Sequence, residues 1–299
     1  MKTIVQLLCA VLMFSLTSCK EEAKTSIPAD EKPKAEMAEK LIPEAWIKNR
    51  VSKAKSRLEA TEAGKVVWNA MEAHGGLEKW YSNGALSFRF NYQPLDGSTQ
   101  RDSYQTINTW NNITKHTSVT DSTAHYGWSG KTSWVTAKDS TTFAYDTKFW
   151  ALTPLYFLAQ PFVLDGAGVN LELLPKTTYK EKSQDVVKVT FDAGTGDAPD
   201  DYYILYFEAD SHELSVIRYI VSYPKYFKDG GHLPEKFMEV IGKNKIDGIL
   251  FPTGYKTHWL VADNQPGEYI TKIDVSDIKF EGELAKDYFD MPADAILVE

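Results

Sequence analysis

Disulfide bonds are excluded first, because the chain has two cysteines and one of them, Cys9, lies in the N-terminal apolar segment, leaving at most the single thiol of Cys19 in a mature form. Basic clusters are also missing. Lys and Arg number 33 against 41 Asp and Glu, and the formal charge of −8 is spread without a Lys/Arg-rich face, which argues against a nucleic-acid partner. Beyond the N-terminus no apolar run approaches the ~20 residues of a membrane span. There is no nucleophile elbow, His-Glu-x-x-His pair, phosphate loop or dinucleotide fingerprint. Gly127-Trp128-Ser129-Gly130 lacks the elbow's spacing and falls at a hairpin turn. The six histidines, His74, His116, His125, His212, His232 and His258, stand with no two at close ligand spacing, so they read as surface or strand-face residues and no metal or cofactor is expected. Four carboxylates, Asp192, Asp197, Asp200 and Asp201, share a Gly-rich loop without EF-hand spacing; a solvated turn is the simpler reading and an oxygen-rich cation site the other.

What the sequence does have begins at its N-terminus. Lys2 supplies a positive start, Ile4 to Leu16 an apolar region, and Leu16-Thr17-Ser18-Cys19 small residues before a cysteine. This resembles a bacterial lipoprotein signal peptide over residues 1–18, cleaved so that Cys19 carries the acyl chains, palmitate among them, and anchors the protein to a membrane. Lys20 in place of Asp after the cysteine implies the outer membrane, and Glu21-Glu22 resembles the acidic export tag of Bacteroidetes surface lipoproteins, so the anchored protein faces either the periplasm or the cell surface. Residues 19–44 are rich in Lys, Glu, Ala and Pro with almost no large apolar side chain, too little to offset the entropy of ordering; they form a tether with a mean reach of roughly 25–30 Å.

From Ala45 to Ala73 the pattern is helical, with Ala63, Val66, Val67, Ala70, Met71 and His74 at three- and four-residue steps and Gly75-Gly76 as a stop; Gly64 weakens the middle, so the run is one helix or two shorter ones. Leu77–Trp80 adds a turn. After Ala85 the period becomes two. Leu86, Phe88, Phe90 and Tyr92 alternate with polar residues, and further strands read as 101–109, 113–120, 122–128, 131–137, 169–174, 177–181, 185–192, 202–208, 213–223, 236–246, 249–251, 255–262 and 269–280, joined by short Gly/Asn/Asp turns. So many strands with few helices must curl or close. The expected fold is mainly β (α+β): a strongly curved antiparallel sheet or incomplete β-barrel over residues 45–299, with helices covering its concave side. Between the two strand runs lies Phe149–Leu164, the most apolar stretch of the mature chain, where Thr153 suits a cap, Pro154 the first helical position and Pro161 a stop. Leu155, Tyr156, Phe157 and Leu158 are consecutive and point all round a two-turn helix, which must therefore be covered on every side. Both faces of Tyr202–Phe207 are apolar, so that strand is expected to be covered twice.

Several motifs together carry a further likeness. Ala73-His74-Gly75-Gly76-Leu77-Glu78-Lys79-Trp80 ahead of a Leu-x-Phe-x-Phe strand, Pro161-Phe162, Pro199-Asp200-Asp201-Tyr202-Tyr203 and the closing Phe280–Pro292 resemble a family of Bacteroidetes lipoproteins. The strand order, Ile249-Leu250-Phe251-Pro252 and Phe289-x-Met-Pro are similar to the lipoprotein carriers LolA and LolB. That resemblance implies a helix-lidded half-barrel that holds acyl chains and performs no chemistry. It implies Trp150, Leu155, Phe157 and Phe162 on the lid and Leu86, Phe88 and Phe90 on the inner sheet face as hydrophobic ligand-binding residues, with Arg89 nearest to the arginine that latches the carrier lid. The expected function is non-enzymatic binding of a lipid, acyl chain or other hydrophobic molecule in transport to the outer membrane. A surface module binding glycan or peptide through exposed aromatics is the alternative, and a hydrolase in the same shell the second.

Overall fold

Alternation of apolar and polar residues is realised as a single 13-stranded sheet, antiparallel at every pairing and open at both ends. The structure is a computed structural model that describes residues 43–298 except 140, 196, 197 and 199. The signal segment, Cys19 and the tether up to residue 42 lie outside the described residues, as does Asp197 of the acidic loop.

Three helices come first. Helix α1 (Glu44–Leu58) and α2 (Glu62–Ala73) are separated at residues 59–61, and α3 (Leu77–Ser82) follows. Gly64 is not the break but the reason the two helices can abut: a Cβ there would stand 2.0 Å from the Leu58 carbonyl oxygen. Thr61 caps α2 by accepting from the Gly64 amide at 3.0 Å. At the other end Gly75, with φ +120°, lets the amides of Gly75 and Gly76 reach back to Glu72 and Met71 at 3.1 and 2.9 Å, a Schellman closure that the Gly-Gly pair encodes.

Strands β1 (Ala85–Pro94), β2 (Arg101–Ile107), β3 (Thr114–Ser118), β4 (His125–Trp128) and β5 (Ser133–Thr136) form one meander. A second runs through β6 (Val169–Tyr179), β7 (Lys182–Phe191), β8 (Tyr203–Glu208), β9 (Leu214–Tyr219), β10 (Lys236–Ile246), β11 (Ile249–Val261) and β12 (Gln265–Glu281). Pairing of β12 with β1 joins them. A short strand β13 (Ile296–Val298), not foreseen, extends the edge at β5; the segment before it crosses the outer face, where the Tyr288 hydroxyl meets Thr106 Oγ1 at 2.8 Å.

Two expected breaks are absent. Val169–Leu174 and Thr177–Glu181 belong to one strand, because Pro175 sits in a bulge of the edge strand β6, where a missing donor is tolerated. Ile249–Phe251 and Tyr255–Ala262 are likewise one strand. The Leu250 amide points away from β10 to the His74 carbonyl at 2.8 Å, and Pro252, two residues on, faces the same way, beyond the stretch where β12 pairs.

The core lies on the concave side. Helix residues Leu58, Val67, Met71 and Trp80 pack with Leu86, Phe88 and Phe90 of β1 and with Leu205 and Phe207 of β8. Trp80 stacks on Phe162 at 4.8 Å. The alternate residues of β8, Ile204 and Tyr206, face outward into a second small core with Val186, Val216 and Phe237. Its roof is the β6–β7 hairpin, which curls over the outer face so that Tyr179 packs 5.4 Å from Phe237 and its hydroxyl bonds Glu239 on β10. The double cover expected of Tyr202–Phe207 is thus met by the sheet itself on one side.

Replacing Gly64 with Ala tests the helix–helix approach. Ala would favour an exposed helix by about 1 kcal/mol, yet the Leu58 carbonyl leaves no room. The melting temperature of Gly64→Ala is expected to fall; an unchanged or raised value would refute the close approach.

Candidate functional site

The connection from β5 to β6 joins opposite ends of the sheet, so it must cross the open mouth of the half-barrel. Its apolar sequence makes α4 (Thr147–Trp150), α5 (Thr153–Leu158) and a 3₁₀ turn at Phe162–Leu164. Asp146 caps α4 through the Phe149 amide at 3.1 Å. Thr153 does not cap α5; its hydroxyl donates instead to the Phe149 carbonyl at 2.6 Å, and Leu152 takes the cap position. Leu155, Phe157 and Leu158 are buried, whereas Tyr156, expected to be covered as well, is half-buried and lines the space beside the helix.

So short a helical segment leaves carbonyls unpaired, and the surrounding walls supply donors. At one end the Ala151 carbonyl accepts from Thr114 Oγ1 at 3.1 Å and from His116 Nε2 at 2.9 Å. Burial depresses the His116 pKa to about 4, so the ring is neutral and Nε2 carries the proton that the carbonyl needs, leaving Nδ1 toward Ser103 Oγ at 3.3 Å. In the middle, Tyr255 OH donates to the Phe157 carbonyl at 2.9 Å. At the far end Arg57 donates to the Leu164 carbonyl at 2.7 Å, while Arg50 makes a two-pronged pair with Asp165 at 2.5 and 2.7 Å and Tyr81 adds a bond to the same carboxylate at 2.6 Å. Arg89 is no latch: it points outward and pairs with Asp102 on the next strand at 2.9 and 2.7 Å. The latch arginines are Arg50 and Arg57, seven residues apart on the α1 face that also carries Ile47, Ala54 and Leu58. That spacing was visible in the sequence as two cations in phase with an apolar stripe.

The insert does not fill the mouth. On one side it leaves a hollow of about 260 Å³ whose walls include Trp80, Trp110, Leu155, Phe162, Tyr203 and the Arg50–Asp165 pair. On the other it leaves one of about 450 Å³ walled by Tyr92, Arg101, Trp150, Lys236, Trp259 and Tyr269. Phe149, Thr153, Phe157, Tyr219 and Val221 line both, so the two hollows lie either side of the same segment. Of the residues expected at the site, Trp150, Leu155, Phe157 and Phe162 line one or other hollow, and Phe157 lines both. Leu86, Phe88 and Phe90 are on the inner face as expected, but they are packed in the core and line neither hollow. Cys19 lies outside the described residues.

The two hollows differ in charge. In the smaller, Asp165 is neutralised by Arg50, and Asp201 accepts from the Ser222 amide and hydroxyl at 2.6 and 2.7 Å. In the larger, Lys236 is 9% exposed, and its ammonium stands 5.6 Å from the centres of both the Tyr219 and Trp259 rings. Burial, and then the Arg101 charge, lower its pKa to about 8. Two cation–π contacts, worth up to about 2 kcal/mol each when desolvated, fall short of the several kcal/mol that removing an ammonium from water costs. Lys236 was legible as a lysine in phase with the inward Met238, but it escaped notice at a strand start; Arg101, in phase with the inward polar Ser103 and Gln105, gave no such signal. Among the described residues no three His, Cys, Asp or Glu side chains group as a metal site.

No family model matches the chain, and no curated protein matches it. Solved structures do. A DUF1329 family protein from Desulfovibrio piger superposes with TM-score 0.50 at 13% identity, over 76% of this chain and 97% of that one. A LolA superfamily protein from Nitrosomonas europaea gives 0.48 at 10% identity, over 76% and 97%. An outer membrane lipoprotein-sorting protein domain from Vibrio parahaemolyticus gives 0.48 at 8% identity, over 79% and 97%. The likeness is one of fold, and the strongly curved, unclosed antiparallel sheet expected from the sequence is the fold found.

Two measurements probe these contacts. Asp165→Asn keeps shape but removes the charge that Arg50 and Tyr81 share; with Arg50 partly exposed, a loss of roughly 2 kcal/mol in urea unfolding is expected, and no loss would mean the latch contributes nothing. For Lys236 the sign follows from a folded-state pKa of about 8 lying below the unfolded value of ~10.4, so between those limits the unfolded chain binds more protons and stability rises with pH. Unfolding free energy should gain roughly 1–2 kcal/mol from pH 7.5 to 9.5 relative to Lys236→Met; parallel pH profiles would contradict the burial.

Proposed function

We propose that this chain is a lipid-anchored envelope protein of the outer membrane that binds a lipid, acyl chain or other hydrophobic molecule without catalysing a reaction, in the service of lipid or lipoprotein transport. The observation that supports this most is the pair of hollows flanking one apolar insert, the larger within the about 300–1,000 Å³ typical of small-molecule sites. Trp150, Leu155, Phe157 and Phe162 would contact the ligand, with Leu86, Phe88 and Phe90 as packed support behind them. Cys19 would carry the acyl anchor, and the tether would hold the half-barrel off the bilayer. Among the described residues the exposed large aromatics are Tyr104 and Tyr226, so no observation favours a glycan platform.

Native mass spectrometry with lipid extraction, on full chain released gently from its own membrane, is expected to show a stoichiometric lipid. Val221→Trp, which builds into the wall common to both hollows, should cut its occupancy about ten-fold while the melting curve is retained. A clean apo mass with no uptake of added lipid would overturn the proposal.

A further inference from the structure

The larger hollow is faced by two cations, Lys236 and Arg101, that no carboxylate among the described residues meets in an ion pair. Lys236 at the start of β10 is more than nine-tenths buried, and among the described residues no carboxylate stands within ion-pair distance of it. Arg101 at the start of β2 lies over Tyr92 at 5.2 Å and Trp150 at 5.4 Å, with its Nε buried and unpartnered. Both line the same space. Two acids, Asp96 and Glu268, also line it, yet neither pairs with Lys236 or Arg101, and Asp96 accepts instead from the Ser98 amide at 2.9 Å. The arginines that hold the insert do have partners: Arg50 has Asp165, and Arg57 has the Leu164 and Val169 carbonyls. Two like charges facing one hollow among rings oppose each other and resist removal from water, so a site that keeps both is shaped for an anion that arrives from outside.

We propose that the larger hollow takes the anionic head of an amphiphile, a carboxylate or phosphate held between Lys236 and Arg101, with the apolar chain running past Phe149, Phe157 and Val221. The inference rests on the hydrophobic-ligand reading and narrows it to anionic amphiphiles. The guanidinium presents parallel donors and the ammonium a point charge, a pairing suited to an oxyanion with more than one oxygen. The rings beside both cations lower the local polarity and so strengthen the pairing of a bound head with them.

The test compares decanoate with 1-decanol, which share a chain and differ in head, by titration calorimetry on the purified full chain at neutral pH. Decanoate should bind at least about ten-fold more tightly, and Lys236→Met should erase most of that margin while leaving 1-decanol unchanged. Lys236→Met removes a buried charge and keeps the stem, so it should fold; Arg101→Gln provides an independent second variant. Equal affinity for the two ligands in the wild type, or a preference that survives both substitutions, would overturn the head-group assignment while leaving hydrophobic binding intact. Binding of neither ligand would sink both readings together. Inorganic phosphate at the same concentration forms the third arm: if it displaces decanoate as well as more decanoate does, the site takes a free small anion and the amphiphile is wrong.

Discussion

An open, curled sheet cannot leave its concave face wet when that face carries Leu86, Phe88, Phe90, Leu205 and Phe207, and nearly every other feature follows from how the face is covered. Three helices before β1 cover one part. The β5–β6 connection covers the other, because it has to travel from one end of the sheet to the other and crosses the mouth on the way. A connection with that route could be a loop only if water reached its backbone. Here it is buried, so its carbonyls need protein donors. His116, Thr114, Tyr255 and Arg57 meet that need at the carbonyls of Ala151, Phe157 and Leu164, and Arg50 meets the Asp165 carboxylate.

These tethers also explain why hollows persist beside so apolar a segment. The insert is pinned at both ends and at its middle, so it cannot slide down to close the gaps on either side. Collapse would stabilise the apolar lining but would strand carbonyls and the Asp165 carboxylate, a larger loss. The outcome is a strap held across a cavity. The same logic leaves Lys236 and Arg101 looking into the larger hollow, since the strap residues that line it, Phe149, Trp150, Thr153 and Phe157, include no carboxylate.

The comparison with solved structures bears on the frame and not on the contents. At 13% identity to the Desulfovibrio piger protein what is shared is the fold, a shape reached by many side-chain combinations. On the proposed reading, the choice of ligand would fall to residues such as Lys236, Arg101 and Trp259, which line the larger hollow of this chain.

Local patterns in the sequence determined the strands, their antiparallel order, the helix stop at Gly75-Gly76 and the burial of Leu155, Phe157 and Leu158, since each depends on neighbours within a few residues. Pro175 and Pro252 misled for the same reason: a proline breaks a ladder only if its missing donor faces a partner, and that depends on strands far along the chain. Gly64 was read as a weak point in a helix, whereas its role is an approach to Leu58 that only the folded geometry reveals. The identity of the latch was beyond local reading too, because Arg50 and Asp165 are brought together by the crossing of the mouth, and Arg89 looked as suitable until its face was known. The lining residues of the insert were legible as apolar. Only the tertiary structure decided that the β1 phenylalanines are packed core, that space remains beside the strap, and that two distant cations share it, because enclosure and charge proximity arise from long-range contacts that no local period encodes.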